Sequence, residues 1–223
     1  MAAAQIAIPL AHRRAGLSSI VVVGLAACAF GAAAAAWGWA RARLAGGSVA
    51  AAALLAEMTG TRTGWPFGRY HYTGMLHPTV AGVPAIVPLA WFGMGAAAWE
   101  VAGRITGAIP ARVGLGAVAL TGWDLFLDPQ MTHERYWVWD QGGWYRHIPI
   151  TNFVGWLLCG ALVMAVLSVA LPGRSKSVPL LALYSWMTVM EGIGFFVFFR
   201  DPLVGVAGAA AMIPLTAAAW RHR

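Results

Sequence analysis

Residues 122–156, GWDLFLDPQMTHERYWVWDQGGWYRHIPITNFVGW, form a polar interval in an otherwise apolar chain. They hold four of the eight acidic residues and five of the twelve tryptophans, and they interrupt two runs that read as membrane-spanning. A polar, aromatic-rich connector in that place has two explanations. Either its tryptophans sit at headgroup level as an interfacial loop, or it roofs a helix bundle as a reaction site.

The surrounding sequence decides what is being roofed. With 60% apolar residues, 10% charged residues and a mean hydropathy of +0.67 over 223 residues, the chain lies outside the range of soluble domains. The expected fold is all-α, a polytopic membrane helix bundle forming one integral membrane domain over residues 1–223. Apolar runs place spans at about 16–40, 44–59, 83–101, 113–127, 148–171, 178–199 and 203–220. That makes seven spans, or six if the short second run, which carries Glu57, is only partly immersed. A cleaved signal peptide is the alternative reading of the first run, because Arg13 and Arg14 precede it and alanines fill its end.

The net charge of +7 does not point to nucleic acid. Arginines and the lone lysine are scattered at the ends of apolar runs, which is the pattern of membrane-edge charges, so the expected partner is the bilayer. They divide almost evenly between the two faces of a seven-span bundle, so orientation is weakly specified; the face without acidic connectors is placed in the cytoplasm. Cys28 and Cys159 lie in apolar runs without metal-ligand spacing and read as small core residues. Arg41 and Arg43 mark a tight connection, Pro84 and Pro88 fall in the first turns of the third span, and Glu100 is spaced to pair with Arg104 four residues on. Chain parity in a seven-span bundle puts the connectors 60–82, 128–148 and 200–202 on one face, where the loops richest in His, Tyr, Trp and Asp converge.

Several residues there could carry chemistry. Asp124 and Asp128 are four apart and share a helix face, near an end set by Pro129. Two carboxylates that close cannot both ionise cheaply in a low dielectric, so one holds a proton ready to give. A helix-end pair bound to Arg135 or Arg146 is the bland alternative. Glu191 lies mid-span beside Gly192 and Gly194, which would let a helix or thin ligand approach; a hydrogen bond to Tyr, Thr or Asn on a neighbouring helix would neutralise it. Glu57 has Arg62 and Arg69 as candidate partners. Trp123, Trp137, Trp139, Trp144 and Trp156 suit an aromatic belt, but indole faces beside acids also stabilise a carbocation. His71, His77, His133 and His147 lack the helical spacing of a metal site, so no metal is expected.

The stretches TRTGWPFGRYHY (61–72), VPAIVPLAWF (83–92), WDLFLDPQ (123–130), Trp137-Val138-Trp139 and PITNFVGW (149–156) resemble the carotenoid biosynthesis membrane family. That family includes carotenoid 1,2-hydratases of the bisanhydrobacterioruberin hydratase type, and the resemblance covers about residues 50–200. It implies a hydro-lyase of the cell membrane that adds water to the terminal C1,C2 double bond of an acyclic carotenoid, giving a tertiary alcohol. It implies no cofactor, and other enzymes of carotenoid biosynthesis as partners. From residue chemistry, Asp124 or Asp128 is the candidate acid, the other orienting water. Trp123, Trp137 and Trp139 would flank the cation, with Tyr72, His77, Asn152, Glu57 and Glu191 as further substrate-binding candidates.

Two rival readings remain open. DLFLD could be one aspartate-rich motif of a prenyltransferase using Mg²⁺ and an isoprenyl diphosphate, although a second such motif is absent. A non-catalytic carotenoid-binding subunit is the other. A retinal-type photoreceptor is excluded, since the only lysine, Lys176, falls in a connector.

Overall fold

In the computed structural model, which describes residues 1–11, 14–173 and 177–222, helices account for most of the chain. Arg13 and Lys176, read above from the sequence, lie outside the described residues. A short helix α1 (Ala2–Ala7) is followed by a single turn at Ile8–Leu10, and the long helices begin with α2 (Arg14–Trp37) and α3 (Trp39–Thr63). Then come β1 (Tyr70–Tyr72), β2 (Thr79–Val80), β3 (Val83–Pro84), α4 (Ile86–Ile105) and α5 (Ile109–His133). The chain continues through β4 (Trp137–Trp139), α6 (Ile150–Ala170), α7 (Val178–Ile193) and α8 (Pro202–Arg221). A π-helical turn, Gly194–Phe198, extends α7. Five of these helices are long and apolar enough to cross a membrane: α2, α4, α6, α7 with its extension, and α8. The molecule is an all-α membrane helix bundle.

The helix α4 runs through the centre, with every residue from Ala90 to Arg104 buried. Small side chains make this possible, because a Cβ on Gly93 would lie 2.8 Å from Leu25 and one on Gly95 would lie 3.1 Å from Val163. The outer helices turn Val, Leu, Ile and Phe outward, as a surface solvated by lipid requires.

Several boundaries differ from those read in the sequence. The second helix is no short run: α3 has 25 residues, and Arg41 and Arg43 lie in its first turns instead of in a connector. The chain reverses at Gly38 alone, whose φ of +87° is available to glycine. Pro84 sits in a two-residue strand, and only Pro88 lies in the first turn of α4. Cys28 is exposed and so is not a core residue, whereas Cys159 is half-buried and packs against the core. Arg104 and Arg112 are inside the bundle, not at its edge. Arg104 Nε binds Glu100 at 2.7 Å, as the spacing suggested. Arg112 stacks on Trp99 at 3.6 Å and donates to the carbonyls of Trp99 and Gly173, in space that a Cβ on Gly103 would fill.

Pro129 does not end α5, which continues to His133. A proline inside a helix removes the N–H that would bond the carbonyl four residues back, here Leu125. Tyr145 supplies the missing donor, its hydroxyl lying 2.8 Å from the Leu125 oxygen. Burial, then the carboxyls of Asp201 and Asp124, push the Tyr145 phenol above its ordinary range, so it stays a donor. Tyr145→Phe strands a buried carbonyl and is expected to cost about 1–3 kcal/mol, read as a lowered unfolding midpoint in detergent.

The polar connectors converge on one end of the bundle. β1 pairs antiparallel with β4 in the register Tyr70↔Trp139, His71↔Val138, Tyr72↔Trp137. Strand alternation therefore puts all four aromatic rings on one face and sends His71 and Val138 to the other. Arg146 joins the last of these connectors through Asp201, with Nε 2.6 Å from Oδ2. Partial burial pushes the Asp201 carboxyl up, but Arg146 and the amides of the α8 N-terminus outweigh it and hold it below the usual range.

Candidate active site

Beneath the β1–β4 ribbon lies a cavity of about 60 Å³. α5 brings Asp128 to it, and α6 brings Asn152 from its first turn. Asp124 stands one helical turn behind Asp128, fully buried. The Asn152 side-chain amide spends one N–H on each acid: Nδ2 lies 3.0 Å from Asp124 Oδ2 and also donates to Asp128 Oδ2. Among the described residues no cation pairs with either aspartate, and Arg146 is engaged by Asp201. The bland pairing with Arg135 or Arg146 is therefore not what the structure contains.

The cavity wall is aromatic. Trp91 and Trp156 stack with centroids 4.2 Å apart, and Trp123, behind the wall, meets the Trp156 ring at 6.1 Å. From the ribbon come Tyr70 against Trp139 at 5.1 Å and Tyr72 against Trp137 at 5.9 Å. The Trp139 indole N–H is buried without a partner.

Glu57 projects from α3 into the same wall. Its partners are not Arg62 or Arg69 but three aromatic donors: Tyr70 and Tyr72 on Oε2, the latter at 2.7 Å, and Trp91 Nε1 at 3.1 Å on Oε1. The reason is register, since strand β1 turns both phenols inward over the buried carboxyl. Burial first, then the Glu57 carboxyl, push both phenols well above the usual tyrosine range, so each keeps its proton and remains a donor. Glu57 thus ties the ribbon to α3 and α4.

The structure brings together Glu57, Tyr72, Asp124, Asp128, Trp137, Trp139 and Asn152 of the residues singled out from sequence. His77 is not among them; it is exposed on the connector before β2. Trp144 is exposed as well, which suits a headgroup-level tryptophan. Glu191 and Trp123 line a separate cavity, of about 200 Å³. Glu191 has no hydrogen bond to a neighbouring Tyr, Thr or Asn among the described residues, and Gly192 beside it faces open space instead of a close-packed helix. Tyr70, Trp91 and Trp156 line the same cavity, although they are not among the binding candidates named from the sequence. The alternation in Tyr70-His71-Tyr72 was the available signal for the first; Trp91 and Trp156 lie in the motifs 83–92 and 149–156, but nothing local to either helix shows that the two indoles meet.

No solved structure matches the chain. A curated relative, the bisanhydrobacterioruberin hydratase of Haloarcula japonica, is 29% identical over 154 residues, covering 63% of this chain and 52% of the relative. The chain thus spans about half the length of that relative. The carotenoid biosynthesis protein family is matched by residues 16–219, which contain the whole aspartate, asparagine and aromatic constellation, and the chain belongs to that family.

Proposed function

We propose that the chain is a carotenoid hydratase of the cell membrane, a hydro-lyase adding water across the terminal C1,C2 double bond of an acyclic carotenoid. The observation that supports this best is the Asp124–Asn152–Asp128 constellation, with Asp128 facing an aromatic-walled cavity. Hydrating a trisubstituted alkene begins with proton transfer to the less substituted carbon. Asp128 faces the cavity and is the donor; Asp124 lies behind it and shares the pair's single proton. Protonation leaves a tertiary cation, which the faces of Trp137, Trp139, Trp91 and Trp156 flank. Water forms the new C–O bond and returns its extra proton to the carboxylate pair, so the site is reset and only water is consumed. Asn152 holds both carboxyls through the cycle, and Glu57 holds the ribbon that carries two of the indoles.

A cavity of about 60 Å³ receives a chain end and water, not the length of a polyene. The rest of the substrate lies along the apolar helices, supplied by the enzymes that build it. Expression in cells that accumulate an acyclic carotenoid, grown with heavy-oxygen water, tests the reading. A tertiary alcohol carrying the heavy oxygen is expected. Unchanged pigment in cells where the protein is inserted in the membrane would overturn the hydratase and favour a binding subunit.

A further inference from the structure

Hydration needs water at an apolar site, and the chain of cavities around α5 shows where it can come from. The cavity of about 200 Å³ that Glu191 lines lies between the α1 segment, α2, α5 and α7. Gln130 lines it too; both residues are 9% exposed, and neither side chain has a hydrogen-bond partner among the described residues. Their carboxyl and amide atoms are not sealed in protein but retain surface at the cavity. Held from water as well, each would be costly, so both are built to meet a small polar occupant. On one side Gln130 and Phe199 also line a third cavity, of about 210 Å³, bordered by the exposed His133, Arg146 and His147 at the end where the polar connectors converge. On the other side Val22, Leu127 and Met131, all half-buried, stand between the Glu191 chamber and the reaction cavity. The opposite wall of the reaction cavity is closed: Trp91 and Trp156 stack there, and the crevice beyond Trp91 has no room for a water molecule.

We propose that the Glu191 chamber is a water reservoir that feeds the reaction cavity. Water enters from the connector end past Gln130, is held by the Gln130 amide and the Glu191 carboxyl, and reaches Asp128 past Met131, whose unbranched side chain can swing aside. Water is donor and acceptor at one atom, so separate molecules satisfy the amide and the carboxyl without the two groups having to meet. The inference rests on the reading of the neighbouring cavity as the seat of hydration, and it makes Gln130 and Glu191 positioning residues for the nucleophile.

Two readouts test it, the first without turnover. Brief X-ray pulses turn bound water into hydroxyl radicals, which oxidise the nearest methionines to sulfoxides. Met187, Met94 and Met164 are all buried, but only Met187 lines the chamber. Met187 is expected to oxidise several-fold faster than the other two. Glu191→Leu combined with Gln130→Leu should slow it about tenfold, the worth of a hydrogen bond to an ionisable group. Glu191→Gln, which still binds water, should stay near wild type. Equal rates at Met187 and Met94 in wild type overturn the reservoir, even if the leucine variant does not fold. The second readout uses protein in excess over an acyclic carotenoid in deuterated water. Asp128 gives a deuteron to C2, and the cation at C1 has two fates. It takes water, the C–O bond forming as a proton passes to the carboxylate pair, or it returns a C2 proton to that pair and reverts to an alkene carrying deuterium. In the double leucine variant the alcohol is expected to fall about tenfold, while the recovered alkene gains deuterium, because the acid is intact and only water is short. Unchanged alcohol, or alcohol and deuterium falling together, overturns the supply route. If wild type forms neither product, the hydratase reading falls and the supply role with it, whereas methionine oxidation still separates a hydrated chamber from a dry one.

Discussion

Asp128→Asn is expected to slow formation of the tertiary alcohol by about a hundred- to ten-thousand-fold, the usual worth of a positioned general acid. An asparagine there can still turn its carbonyl oxygen to the Asn152 amide, which donates to Asp128 in the native protein. The bundle therefore keeps its packing, and the unfolding midpoint stays near that of wild type while the reaction loses its proton. Asp124→Asn removes the carboxyl behind, which acts through Asp128, and is expected to have the smaller effect. The double variant should be no slower than Asp128→Asn alone, since residues working as one unit are not additive. Product formation by single-turnover assay on the inserted protein decides the matter. Normal rates in both single variants would remove the acid pair from the mechanism.

Glu57→Leu has the largest expected effect on stability. It deprives Tyr70, Tyr72 and Trp91 of their common acceptor in one step. Each buried donor left unpaired costs about 1–3 kcal/mol, so a total above roughly 3 kcal/mol is expected. That is a large share of the roughly 5–15 kcal/mol that holds a typical domain together. Glu57→Gln should cost less, because its carbonyl still accepts on one side while its amide opposes only the donors on the other. Thermal unfolding in detergent orders the three proteins, and hydratase activity should fall with the docking of the ribbon. A Glu57→Leu protein as stable as wild type would show that the ribbon is held by ring packing alone.

The acid pair was legible because helical spacing is a local property: Asp124 and Asp128 share a face whatever surrounds them. Asn152, one span away in the sequence, was found through its motif, but its role in holding both carboxyls depends on how α5 and α6 pack. Glu57 shows the limit more clearly. Its nearest charges in sequence, Arg62 and Arg69, suggested ion pairs, whereas a three-residue strand delivers two phenols to it instead. Pro129 misled for a similar reason, since the donor that repairs its broken hydrogen bond is Tyr145, sixteen residues further along.

By itself the sequence determined that this is a membrane helix bundle and where most of its apolar segments lie, because hydrophobic length acts residue by residue along the chain; of the seven expected spans, those at 44–59 and 113–127 fall on α3 and α5, which are not among the five helices long and apolar enough to cross a membrane. The tertiary structure alone decided which aspartate faces a cavity, which tryptophans wall it, and that Glu191 belongs to a second chamber. Those are questions of which side chains meet across helices and strands far apart in the chain. Close packing and the pairing of most buried polar groups settle them only when all the elements are in place.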